Sequence, residues 1–129
     1  IHTETFDWEV IVIDNNSTDN TAKVVQDYQA NWPQNCPLRY FQEKKQGAGF
    51  ARQRAIEEAK SQLIGFLDDD NLPALDWVSA AYKFGKEYPQ AGAYASQTRP
   101  IYEVEPPENF HRIAPFLAIT QRGSHPLKY

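Results

Sequence analysis

The sequence predicts an α/β fold, a three-layer sandwich built around a mostly parallel sheet. Short runs of Val, Ile and Leu alternate with amphipathic stretches, and a crossover helix between such runs returns the chain to run parallel to the previous strand. The two clearest runs also end in clusters of Asp and Asn, the polar punctuation expected where strands stop.

The first run, WEVIVI at residues 8–13, is apolar without alternation and reads as a strand buried on both faces. Beyond it, Thr18 or Asp19 is expected to cap a helix carrying Val24, Val25 and Tyr28 on one side, which Pro33 ends. Residues 38–42 form a second strand, followed by a flexible, locally basic loop with Lys44, Lys45, Gly47 and Gly49. A helix over residues 48–60 then lines up Ala48, Ala51, Ala55, Ile56 and Ala59, a narrow stripe suited to close packing on a sheet. LIGFL at residues 63–67 reads as a third buried strand that stops at Asp68, Asp69, Asp70 and Asn71. A helix over residues 75–88, a fourth strand over 92–97 and a Pro-rich remainder with one short helix over 110–120 complete the prediction. There is no internal repeat and no marked second boundary, so residues 1–129 are expected to form a single domain.

At 129 residues, 41% hydrophobic and 23% charged, the chain has the composition of a soluble domain with one core. A net charge of -4 argues against general affinity for nucleic acid, which needs a dense basic surface. No run approaches the roughly 20 apolar residues of a membrane helix, and no leader precedes the first strand, so the chain reads as unsecreted. The absence of Met, even at position 1, reads as a piece of a longer protein. Cys36 is the single cysteine and lacks partners at metal-ligand spacing, which leaves it a buried or loop thiol.

Ligands of open parallel sheets bind beyond the carboxyl ends of strands, and both acidic clusters are expected on that rim. Asp68 and Asp70 alternate, so in an extended or turning segment they point the same way and can share one hard cation with a substrate diphosphate. A solvated acidic turn is the simpler alternative. The cluster at 14–19 is no calcium loop, since Asp19 stands where the sharp turn wants Gly and Val25 where a bidentate Glu belongs. Ser17, Thr18 and Asp19 suit a helix cap, while Asp14 and Asn15 can hydrogen-bond a ring N–H or a ribose hydroxyl. Arg52 and Arg54, with Lys44 and Lys45, offer either a phosphate-side environment or a solvated helix face. His111 and the carboxylates of Glu103, Glu105 and Glu108 are expected to be structural or surface groups.

These motifs together resemble the inverting nucleotide-sugar glycosyltransferases of family 2, which have the GT-A fold. WEVIVIDNNSTDNT is similar to that family's second strand and nucleotide-binding turn, FLDDDNLPALDWV to its metal-binding DXD motif, and QGAGFARQRAIEEA, between them, to its Gly-and-Arg segment. The resemblance covers about residues 8–97, a donor-binding portion, and more loosely the variable segment at about 98–129. It implies that Asp14 and Asn15 lie near the donor's base or ribose, Arg52 near the nucleotide, and Asp68 and Asp69 at the donor. Asp68 and Asp70 would hold Mn²⁺ or Mg²⁺, Asp70 as the direct ligand. It further implies a nucleotide-diphospho-sugar donor, a saccharide or lipid-linked acceptor, no nucleic acid partner and a cytoplasmic setting. The parent enzyme is expected to associate peripherally with membrane. In this comparison the first strand precedes Ile1 and the general base lies beyond Tyr129, so the fold is incomplete and an unpaired sheet edge favours a homo-oligomer. Two other functions fit the residues: a Mg²⁺-dependent phosphatase with Asp68 as nucleophile and Asp70 as acid, and a non-catalytic interaction module with an acidic rim.

Overall fold

Residues Val10–Asp14 (VIVID) form β1, whose β-branched side chains favour the pleated backbone. It pairs in parallel with β2, Leu38–Gln42, in a register that runs from Val10 opposite Leu38 to Asp14 opposite Gln42. Parallel neighbours cannot be joined by a tight turn, and helix α1, Thr21–Ala30, supplies the crossover and contacts both strands. The structure is a computed structural model that describes residues 6–117. It comprises two units, Ile1–Pro89 and Gln90–Tyr129.

In the first unit the N-cap of α1 is Asn20, without a side-chain cap bond, rather than the expected Thr18 or Asp19; one residue earlier, Asp19 Oδ1 accepts from the Thr21 amide at 2.9 Å and from the Thr21 hydroxyl at 2.5 Å. Val25 faces partly inward, whereas Val24 and Tyr28, placed with it by periodicity, are exposed. The chain leaves α1 through Pro33 to Cys36, which is buried as expected; burial pushes its thiol above the ordinary range. Helix α2, Ala48–Glu58, packs against β1. Its half-buried positions are Ala51, Arg54, Ala55 and Glu58, with Ala59 just beyond, so Ala48 and Ile56 of the predicted stripe lie outside it. The two charged members belong there because Arg54 pairs with Glu58 at 2.7 Å and lies over the Phe41 ring of β2.

Two predicted strands differ. Residues 63–67 join no sheet, and Leu63, Phe66 and Leu67 are 44–48% exposed. Residues 92–97, in the second unit, also carry no strand pairing, so the sheet of the described residues is β1 and β2. A continuous apolar run signals that a segment can be buried, but pairing depends on a neighbouring edge that the run does not specify. Instead, Gly65 lies under the indole of Trp77, the first residue of helix α3, Trp77–Glu87. A Cβ at position 65 would sit 3.0 Å from Trp77 Cη2, and a packed indole yields little. Gly65→Ala is therefore expected to destabilise the protein by about 1 kcal/mol, read as a shift in the urea midpoint. An unchanged midpoint would remove any packing role from this contact. Helix α3 also stacks Tyr82 on Phe6, with ring centroids 3.9 Å apart.

The second unit has little regular structure. The predicted helix over residues 110–120 is replaced by two 3-10 turns, Phe110–Arg112 and Ala114–Leu117, and its residues 118–120 lie outside the described residues. Pro115 explains the break, since it has no N–H to continue a helical ladder. Tyr102 meets Phe110 edge to face at 5.4 Å. None of the described helices is long and apolar enough to cross a membrane.

Candidate functional site

The end of β1 places Asp14 and Asn15, both expected at a ligand. Asp14 is 4% exposed, and each oxygen of its carboxylate accepts a hydrogen bond from within the fold. Oδ1 accepts from the Ser17 amide at 2.7 Å and Oδ2 from the Tyr40 hydroxyl at 2.5 Å. Hydrogen bonds from Ser17 and then Tyr40 stabilise the charged form, holding the carboxyl below its ordinary range despite burial. The same contact raises the Tyr40 hydroxyl above its usual value. The turn that brings the Ser17 amide back to Asp14 passes through Asn16 at φ 61°, a left-handed conformation that Asn tolerates.

Asn15 reaches forward to the loop after β2. Its Nδ2 donates to the carbonyl oxygens of Lys45 at 2.6 Å and Glu43 at 3.2 Å, and its Oδ1 accepts from the Gly47 amide at 2.6 Å. Gly47 has φ 131°, which a residue with a Cβ rarely adopts, and its carbonyl starts α2 by accepting from Phe50 and Ala51. Lys45 sits over the Phe50 ring.

One turn into α2, the exposed Arg52 donates to Asp68 Oδ1 at 3.2 Å, joining two residues singled out in the sequence. Residues 68–71 form a turn closed by the Asn71 amide on the Asp68 carbonyl at 3.1 Å, with Asp69 and Asp70 at its centre. Asp70 Oδ1 accepts from the Asn71 side chain at 2.7 Å. No described hydrogen bond or ion pair joins Asp14 or Asn15 directly to this turn; the link runs through residues 43–47 and α2. The expected common rim therefore rests on Arg52, because the second acidic cluster follows an unpaired segment rather than a sheet strand. Of the other basic residues considered, Arg54 is engaged with Glu58 and Phe41. His111, in the second unit, lies 3.2 Å from the Glu108 carbonyl through Nδ1.

The acidic turn suits a divalent cation in one specific sense. Asp68 and Asp70 are exposed hard oxygen donors, and one oxygen of each is held by a neighbouring side chain. Among the described residues no three Asp, Glu, His or Cys side chains converge. Such a pair cannot cage an ion by itself, but Mg²⁺ is usually held by one or two carboxylates together with water and substrate phosphate oxygens. The residues fit a cation that arrives with a phosphorylated ligand.

Two partners were not singled out in the sequence. Tyr40 lies on β2 at the register position opposite Val12, and only strand pairing brings it to Asp14. Arg39 was read as part of a strand, yet it donates to Glu9 at 2.9 Å, to the Glu58 carbonyl at 2.8 Å and to the Glu58 carboxylate at 3.3 Å. An Arg within an apolar strand is the signal that could have flagged it, since a half-buried cation needs anionic partners.

Comparison with known proteins identifies the family. The pattern of the family described as glycosyl transferase family 2 matches residues 2–127. Chondroitin synthase of Escherichia coli is 32% identical over 91 residues, which are 70% of this chain and 13% of that protein. A GalNAc(5)-diNAcBac-PP-undecaprenol beta-1,3-glucosyltransferase of Campylobacter jejuni is 37% identical over 67 residues, 50% of this chain and 21% of that protein. A dolichyl-phosphate beta-glucosyltransferase of Trichomonas vaginalis is 37% identical over 71 residues, 55% of this chain and 20% of its own length. The chain thus spans less than a third of the length of the curated relatives it matches. No solved structure matches it significantly.

Proposed function

Because the chain belongs to glycosyl transferase family 2, we propose that it supplies the donor site of an inverting glycosyltransferase, which moves a sugar from a nucleoside diphosphate to an acceptor hydroxyl. The observation that carries this reading is a chain of contacts: Asn15 binds residues 43–47, these open α2, and Arg52 of α2 pairs with Asp68. Three segments distant in sequence are thereby linked into one polar surface. Relatives named for chondroitin, undecaprenol-linked and dolichyl-phosphate chemistry support a saccharide or lipid-linked acceptor.

In this reading Asp68 and Asp70 would hold Mn²⁺ or Mg²⁺, with Asp69 beside them at the donor. The cation supplies Lewis-acid stabilisation of the negative charge that grows on the departing diphosphate. Arg52 uses one guanidinium nitrogen on Asp68, and its planar fork has further donors for phosphate oxygens. Asp14 keeps the tip of β1 in shape beside the donor.

Calorimetric titration with UDP, GDP and dTDP, in Mn²⁺ and after EDTA, tests the proposal. Binding is expected in Mn²⁺, absent after EDTA, and weakened at least about tenfold by Asp70→Ala, the equivalent of about 1.4 kcal/mol. Binding indifferent to both EDTA and the substitution would overturn the assignment of the turn. Release of phosphate from a phosphomonoester would favour Asp68 as a nucleophile instead.

A further inference from the structure

We propose that the groove between α2 and the loop after β2 is a saccharide-binding site, which holds a neutral sugar unit of the acceptor chain away from the Arg52–Asp68 pair. The proposal rests on the glycosyltransferase reading above for the source of the sugar. The groove has a volume of about 220 Å³ and is lined by Glu43, Lys45, Phe50, Gln53, Arg54 and Glu57. It is smaller than the roughly 300–1,000 Å³ of sites for drug-sized ligands, so it suits one sugar ring better than a nucleotide. Phe50, Gln53, Arg54 and Glu57 recur at i, i+3, i+4 and i+7, the spacing of one helix face. Arg52 stands about 200° round the helix from Phe50, and its partner Asp68 lies on that side.

The lining carries two carboxylates and two cations. A simple anion would meet Glu43 and Glu57, and a simple cation would meet Lys45 and Arg54. A hydroxyl both donates and accepts, so a ring of hydroxyls can serve both sets at once. Glu43 Oε1 accepts from the Lys45 amide at 2.7 Å and Glu57 Oε1 from Gln53 Nε2 at 3.0 Å, which orients both carboxylates and leaves each a second oxygen to offer. The Arg54 guanidinium pairs with Glu58 through Nη2, and its planar fork carries further donors. Phe50 supplies the apolar part: its ring is 46% exposed, although the Lys45 ammonium lies over it at 5.5 Å. The C–H face of a pyranose can rest on such a ring while its hydroxyls reach the polar groups around it.

The experiment titrates the whole chain by NMR, without nucleotide or metal, using lactose, maltose and N,N′-diacetylchitobiose, with glycine betaine as a zwitterion. The Phe50 ring protons and the Gln53 side-chain amide are expected to shift and to saturate at millimolar sugar. The Asn71 side-chain amide, which donates to Asp70 at the acidic turn, is expected to stay in place. Phe50→Ala and Glu57→Ala are each expected to weaken the sugar about fivefold, the loss of one ring contact or one charged hydrogen bond. Both side chains are exposed, so the fold tolerates either change, and Glu57→Ala should keep wild-type affinity for UDP in Mn²⁺. Shifts absent with every sugar, equally large at Asn71, or matched by glycine betaine would overturn the site, as would wild-type sugar affinity in both variants. If UDP, GDP and dTDP all fail to bind while the sugar shifts persist, the donor reading falls and the groove stands as a saccharide site. If a nucleotide binds and no sugar does, this proposal alone falls.

Discussion

Asp14→Ala is expected to lower the unfolding free energy by about 2–3 kcal/mol at pH 7, because it strips two charge-assisted hydrogen bonds and strands their donors. The Ser17 amide and the Tyr40 hydroxyl both point at a carboxylate that is 4% exposed, so water replaces it poorly. Tyr40→Phe removes one of the two contacts and is expected to cost about 1 kcal/mol. Because the folded Asp14 carboxyl lies below its ordinary 3.8, its contribution is fully present above that value and is lost as pH falls through the folded pKa. Urea midpoints from pH 7 down to pH 3 should show that loss in the wild type and a flatter acid limb in Asp14→Asn. A variant as stable as wild type at pH 7 would mean that the tip of β1 is not held by this carboxylate.

Arg39→Met is the second large effect, about 2–3 kcal/mol by urea unfolding, since removing one member of a half-buried charge network leaves the others uncompensated. Arg39 holds Glu9, just before β1, and both the carboxylate and the carbonyl of Glu58, at the end of α2. The Glu9 and Glu58 side chains are 14% and 23% exposed, so salt screens them less than surface pairs. Burial alone would raise Glu9, but the Arg39 hydrogen bond, the Lys60 amide and both positive charges outweigh it and hold the carboxyl below its ordinary 4.5. Glu58 keeps Arg54 when Arg39 is lost, so Glu9 bears most of the damage. Adding Glu9→Gln to Arg39→Met should recover part of the loss, and no recovery would place the effect in packing on Phe41, which Arg39 also covers at 4.9 Å.

The elements most legible in the sequence were those defined by local chemistry. VIVID and LRYFQ carry strand residues, and α1 and α2 begin after polar or Gly-containing turns and end near where their patterns stop. Side-chain reach was less legible. Periodicity alone put Ile56 on the packed face of α2, although Arg54 and Glu58 occupy it through partners on β2. LIGFL shows the same limit for a strand, because apolarity does not name a pairing edge. Asp14, Asn15, Arg52 and the 68–70 turn stand out in the sequence as candidates, through motif, spacing and the family resemblance. That Arg52 touches Asp68, and that Asn15 spends its amide on a loop, depends on tertiary placement.

The parallel pairing of β1 and β2 has a consequence for how the protein reaches its native state. Antiparallel strands can zip outward from a shared turn, but here each pair in the register lies as far apart in sequence as Asn15 and Glu43, 28 residues. Closing such a loop costs about 3 kcal/mol of chain entropy, beyond a constant, before the first strand contact forms. Helix α1 shortens the loop that must be closed, since a helix advances only about 1.5 Å per residue. The rate of sheet formation is thus governed by the crossover as much as by the strands, and strand residues that never touch α1 inherit its kinetics.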